Sequence, residues 1–150
     1  MITLEIKNLD IVRNTLAKYP AVSEKRIGTA IQRSLVRVLG EEKKTAPFGV
    51  SGGLRDRWSI KLGRFTGSLV SGVKYGMGVE KGTKPHAVPV SAIAPWAIKK
   101  GLNPWAVVNS IKKKGTKANP FFERAVGQAS KGVEQEFSDA VRDILGEIKH

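Results

Sequence analysis

The 150-residue chain has no cysteine, two histidines, two methionines and an aromatic share of only 7%. Without cysteine there is no disulfide, no thiol nucleophile and no thiolate metal ligand, and the composition fits a reducing compartment. The histidines are His86 and the terminal His150, which leaves little material for proton transfer or metal ligation. Long apolar runs are also missing. The longest uncharged stretch near the middle, residues 87–98, is 12 residues long and holds Pro89 and Pro95, too short and too broken to span a bilayer. The opening MITLEIKNLD carries acids early and no apolar run, which does not fit a secretory signal.

Acidic residues are scarce where basic ones are common. Between Ser51 and Pro120 there are 13 Lys and Arg against two acids, Asp56 and Glu80, so this segment carries +11 of the chain's net +13. A basic middle between balanced ends points to a polyanion or an acidic protein partner, or to a solvated face. The apolar share of 41% suits a globular fold of one domain, residues 1–150.

What is present is strongly patterned. ITLEIKNL alternates apolar and polar residues, as a short strand does. Ile27, Ala30, Ile31, Leu35, Val38 and Leu39 form one stripe, predicting a helix over about 21–44 with Ser23 as a cap. Residues 46–90 are rich in glycine and β-formers and read as two or three short antiparallel strands, after a flexible loop APFGVSGG. Two short helices follow at about 91–100 and 103–114. Ser91 can cap the first, Gly101 lies past its end, Asn103 and Pro104 open the second, and Gly115 closes it. Trp96 and Trp105 sit among aliphatics and read as packing anchors. A stripe from Val126 to Ile148 predicts a second long helix over about 119–148, weakened locally by Gly127 and Gly132. The expected class is α+β, a small antiparallel sheet flanked by two long helices.

The stretch KYGMGVEKGTKPHAVP, residues 74–89, holds Glu80 and His86 among glycines and prolines. A Glu and a His six residues apart suggest an acid–base pair, but a loop staple needs only the same two groups. No HExxH, paired-carboxylate or Walker-type spacing accompanies them, so neither catalysis nor a metal or cofactor site is expected. Lys99, Lys100, Lys112, Lys113, Lys114 and Lys117 are candidate polyanion contacts at helix C-termini. The second short helix starts Pro-Trp-Ala-Val-Val, too apolar for sequence-specific reading of DNA.

Three segments, APFGVSGGLRDRW (46–58), KYGMGVEKGTKPH (74–86) and KGTKANPFFERAV (114–126), taken in order, resemble the AP-x-DTG-x-LR-x-S, Y-A-x-x-VE-x-GT-x-x-H and A-x-PF-x-x-PA signatures of one family. This is the group of tailed-phage neck and tail-completion proteins called gene-product-ten-like after HK-type lambdoid phages, also termed virion morphogenesis proteins. Ser51, Gly52, Leu54 and Arg55 match the first signature. Tyr75, Val79, Glu80, Gly82, Thr83 and His86 match the second, and Pro120, Phe121, Phe122 and Ala125 the third. The first loop is one residue longer and lacks the usual acid, Arg57 replaces Ser, Arg124 replaces Pro, and 91–115 resembles an insertion found in part of the family.

The resemblance implies a structural, non-enzymatic protein of the virion head–tail junction, made in the host bacterial cytoplasm. It implies a homo-oligomeric ring of six- or twelve-fold symmetry, partnered by other neck, connector and tail-terminator proteins, with no membrane or small-molecule substrate. The basic middle would then face packaged DNA, through non-specific contacts, or an acidic neighbouring ring. Such a ring needs a head-to-tail interface that closes. Glu80, rare in a basic region, is expected as an ionic anchor for Arg or Lys, and His86 as a hydrogen-bonding staple. The alternative is a non-specific DNA-binding protein of prophage or host origin.

Overall fold

The computed structural model describes residues 2–6, 17, 20–50 and 52–148. In chain order these form β1 (Thr3–Ile6), α1 (Pro20–Thr45), α2 (Gly53–Asp56), β2 (Trp58–Leu62), β3 (Gly67–Ser71), α3 (Gly76–Lys81), α4 (Val90–Lys99), α5 (Pro104–Lys114) and α6 (Phe121–Ile148). The protein is α+β, with one three-stranded antiparallel sheet in the order β1-β3-β2.

The two long helices carry the architecture. They run antiparallel, because Arg26 near the start of α1 pairs with Glu147 near the end of α6, while Arg37 meets Glu136 at 2.8 Å further along. Between them lies one core of Ile27, Ala30, Ile31, Leu35 and Val38 with Phe121, Ala129, Ala140 and Ile144. Burial of this apolar surface drives the packing. The exposed ion pairs at the rim contribute little, about 0–1 kcal/mol each. Arg37 passes close over Gly132 on its way to Glu136, so a side chain there would displace the flexible end of Arg37.

β3 lies under α1. Its Gly67, Leu69 and Ser71 face inward, and a Cβ on Gly67 would overlap Ile31 and Leu35, so the absence of a side chain brings helix and sheet together. β2 and β3 form a hairpin closed by the Gly63 N–H to Thr66 carbonyl bond of 2.9 Å, with Trp58 paired to Ser71 and Leu62 to Gly67.

Four details differ from the sequence pattern. The region read as strands also contains two short helices, α2 and α3. Tertiary contacts form both, since Leu54 and Gly76 are buried and Met77 and Val79 pack on the core. Ser23 does not cap α1: Pro20 opens that helix, as its fixed φ permits, and Ser23 is buried in the first turn. Ser91 does not cap α4, because Pro89 takes the cap position without a side-chain bond. Trp96 and Trp105 are not packing anchors. They are 36% and 67% exposed, while Ala97, Val108 and Ile111 fill the interior of the α4–α5 hairpin.

The other helix punctuation is as the sequence reads. Asn103 Oδ1 accepts the Trp105 and Ala106 N–H groups at 2.9 and 3.4 Å, and Pro104 occupies the first position of α5. The loop 46–53 is more anchored than its glycines suggest. The Gly52 N–H bonds the Phe48 carbonyl at 3.0 Å, and Lys99 reaches the Gly49 and Val50 carbonyls, each at 3.3 Å.

Candidate functional site

The three motif-like segments, far apart in sequence, meet where α1 ends and α6 begins. The Thr45 hydroxyl donates to the Phe121 carbonyl at 2.8 Å. Trp58 stacks on Phe122 with ring centroids 5.1 Å apart and planes 13° from parallel. The Trp58 indole N–H is fixed by the Leu54 carbonyl at 2.6 Å, and Arg55 Nε donates to the Ala46 carbonyl at 2.9 Å.

Glu80 joins the second segment to the third. From the end of α3 its Oε2 accepts the Phe122 N–H at 2.9 Å and its Oε1 the Glu123 N–H at 3.0 Å. A helix begins with four N–H groups that lack intrahelical partners. In α6 all four are satisfied: Phe121 N–H by the Asn119 carbonyl at 2.7 Å, Phe122 and Glu123 by Glu80, and Arg124 by the Pro120 carbonyl at 3.2 Å. A carboxylate suits this place twice, as a bidentate acceptor and as a negative charge at the positive end of the helix dipole. The expected cationic partner is therefore not what holds Glu80 within the chain; two backbone donors are.

Below this cap two chain segments cross. Thr83 and Thr116 exchange backbone hydrogen bonds, both 3.1 Å, and their hydroxyls lie 2.9 Å apart. The Asn119 N–H bonds the Val79 carbonyl at 2.9 Å beside them. Gly82 and Gly115 flank the crossing, each with φ +73°. A Cβ on Gly82 would lie 2.5 Å from the Thr116 carbonyl oxygen, and one on Gly115 would overlap the Thr83 carbonyl. Both the left-handed backbone and the close approach require glycine.

The His86 ring makes a local contact, with Nδ1 2.8 Å from the Lys84 carbonyl, while the tie to α5 is made by the His86 backbone N–H, which donates to the Ile111 carbonyl at 3.4 Å. Glu80 and His86 thus serve different partners and form no acid–base couple with each other. Among the described residues no group of three or more His, Asp or Glu side chains could hold a metal ion. No helix among them is long and apolar enough to cross a membrane.

The other candidates divide by exposure. Gly52 (φ +70°), Leu54, Phe121 and Phe122 are buried and act inside the subunit. Tyr75 is 57% exposed just before α3. Pro120 is half-buried and supplies the carbonyl noted above. Ser51 lies outside the described residues. Lys100, Lys112, Lys113, Lys114 and Lys117 are exposed. Lys99 is committed to the 48–50 loop, with its Nζ 5.0 Å from the Phe48 ring centroid; Arg55 lies over the same ring at 5.3 Å.

One group escaped the sequence reading. Glu42, in the last turn of α1, is 0% exposed, and neither carboxylate oxygen has a hydrogen-bond partner. Burial pushes its pKa up to about 7. The Trp58 indole and the charges of Arg55 and Lys43 pull the other way, and Asp56 adds to the rise. The signal was available: position 42 continues the stripe of Leu35 and Val38 at helical spacing.

Comparison with protein-family models, with curated proteins and with solved structures finds no match for this chain.

Proposed function

We propose that the chain is a structural, non-catalytic virion protein of the phage head–tail junction, assembling as a homo-oligomeric ring that joins the head connector to the tail. One observation carries this reading beyond the motif resemblance. Ten large apolar side chains stand exposed among the described residues, and seven of them are Phe48, Val50, Tyr75, Trp96, Ile98, Leu102 and Trp105. These belong to the two motif-bearing regions at 46–53 and 75, and to the α4–α5 hairpin. Exposed apolar side chains concentrated on particular elements mark surfaces that partners cover. Beneath them the junction is stiff: a stacked Trp58–Phe122 pair, a fully satisfied helix start and a glycine-lined crossing hold the loops in shape. A rigid frame with apolar loops is what a closing, head-to-tail interface needs.

Electron microscopy of the encoding phage, with antibody against the chain, tests the placement. Label confined to the neck supports it, and label on the tail fibres, the capsid face or no virion structure overturns it.

A second reading rests on a different observation. Residues 81–122 hold eight lysines and no acid, with Trp105 exposed among them. This favours non-specific binding of DNA, whose strength falls steeply with salt. A salt titration separates the two: tight association with duplex DNA at low salt, in a protein that stays monomeric, favours the second.

A further inference from the structure

The buried carboxyl of Glu42 has no place in the assembly reading and stands apart from it. It lies in the last turn of α1, a helix that contacts both α2 and β2. Its surroundings are otherwise well organised. The Glu42 carbonyl accepts the Ala46 N–H at 2.8 Å, Ala46 is buried, and the Ala46 carbonyl accepts Arg55 Nε at 2.9 Å. Arg55 then reaches over Phe48, whose ring Lys99 Nζ also approaches. Arg55 forms no ion pair among the described residues, and the Glu42 carboxyl makes no hydrogen bond, the Trp58 indole N–H near it being spent on the Leu54 carbonyl. A buried carboxyl without donors persists as the neutral acid, because burial of an unpaired charge is costly.

The charged groups acting on Glu42 are few. From α2 come Arg55 and Asp56, of opposite sign, and from its own helix Lys43. β2 presents Trp58, whose N–H is already bonded to the Leu54 carbonyl. At the start of α6, Phe121 and Phe122 bring no charge, and the acids there, Glu80 and Glu123, offer none that could pair with a carboxylate. Among the groups acting on Glu42, Arg55 is therefore the one cation from another element that can answer its charge, and its Nε and guanidinium face are committed to Ala46 and Phe48.

We infer that Glu42 is a proton-operated switch on the anchoring of residues 46–58. Protonated, it sits neutral in the core and leaves Arg55 on the Ala46 carbonyl and the Phe48 ring. When the proton passes to solvent, the carboxylate draws the Arg55 guanidinium to itself. The Ala46 carbonyl bond and the Phe48 contact are lost together, leaving Lys99 and backbone bonds such as Gly52 N–H to the Phe48 carbonyl to hold the loop. The change is a single proton transfer followed by a side-chain move.

Hydrogen exchange of the full chain at pH 5.5 and pH 8.5, corrected for the intrinsic exchange rate, tests this. In the wild type, peptides covering 46–58 should exchange about tenfold faster at the higher pH, while peptides from the middle of α1 and α6 keep their protection. Glu42→Gln, which cannot ionise, should give equal protection at both values. Unchanged wild-type protection, or the same loss in Glu42→Gln, overturns the inference. If that variant does not fold, the carboxyl carbon of Glu42 in the wild type decides by NMR. Titration above pH 6 is expected, and titration in the ordinary carboxylate range overturns the switch.

Discussion

Glu80 Oε2 accepts the backbone N–H of Phe122 at 2.9 Å across 42 residues of sequence. Together with the Glu123 bond it makes a side chain from one helix the cap of another. The consequence is mechanical: α3, with Tyr75 at its head, cannot shift without uncapping α6.

Removing this cap should destabilise the fold. Glu80→Ala leaves two helix-start donors without partners, at a cost of about 1–2 kcal/mol in urea unfolding. Glu80→Gln keeps one acceptor oxygen and should cost less. Equal stability of Glu80→Ala and wild type would count against the capping role.

Gly82 and Gly115 should be far less tolerant than Gly101, although all three have positive φ. Alanine at Gly101 has nothing within 4 Å to strike. There the conformational penalty alone applies, roughly 1 kcal/mol. At Gly82 the added methyl meets the Thr116 carbonyl and the Ala118 N–H, so a cost clearly above that of Gly101→Ala is expected in parallel thermal melts. Similar melting for the two variants would contradict the crossing as described.

Trp58 and Phe122 should be coupled. A double-mutant cycle to alanine is expected to return about 0.5–1.5 kcal/mol of interaction energy for the stacked pair. Trp105→Ala, by contrast, should change stability by no more than about 0.5 kcal/mol, since Trp105 is mostly exposed.

Stability should depend on pH through Glu42. Its folded pKa is raised, from 4.5 to about 7, so the folded state holds the proton more tightly than the unfolded chain. The sign follows: the folded state is favoured most at and below pH 4.5, loses stability as pH rises to about 7, and stays flat above. The loss is at most about 3 kcal/mol. The difference between wild type and Glu42→Gln, measured by urea unfolding from pH 4 to 8, isolates it; a difference that does not vary with pH would contradict the assignment.

Much of the scaffold was legible because it rests on repetition. The stripes of α1 and α6 recur over many turns, and Asn103-Pro104 and Gly115 mark the ends of α5 by local chemistry that acts the same in any fold. Short helices α2 and α3 were not legible, because their glycine-rich sequences become helical only through contacts such as Leu54 and Gly76 with the core. Charge counting showed Glu80 to be rare, but its partners are peptide N–H groups at a helix start, which carry no residue type to read. Trp105 misled for the same reason in reverse: aliphatic neighbours in sequence do not say which of them turns inward. Glu42 was readable from its place on the apolar stripe, and only its missing partners required the fold.

The ring is tested most directly by the mass of the purified full-length chain. Light scattering after size exclusion, with electron microscopy of the same fractions, should show one closed oligomer of fixed subunit number, holding its mass on dilution and in moderate salt. A monomer at every concentration, or open filaments without closed rings, would contradict assembly into a neck ring.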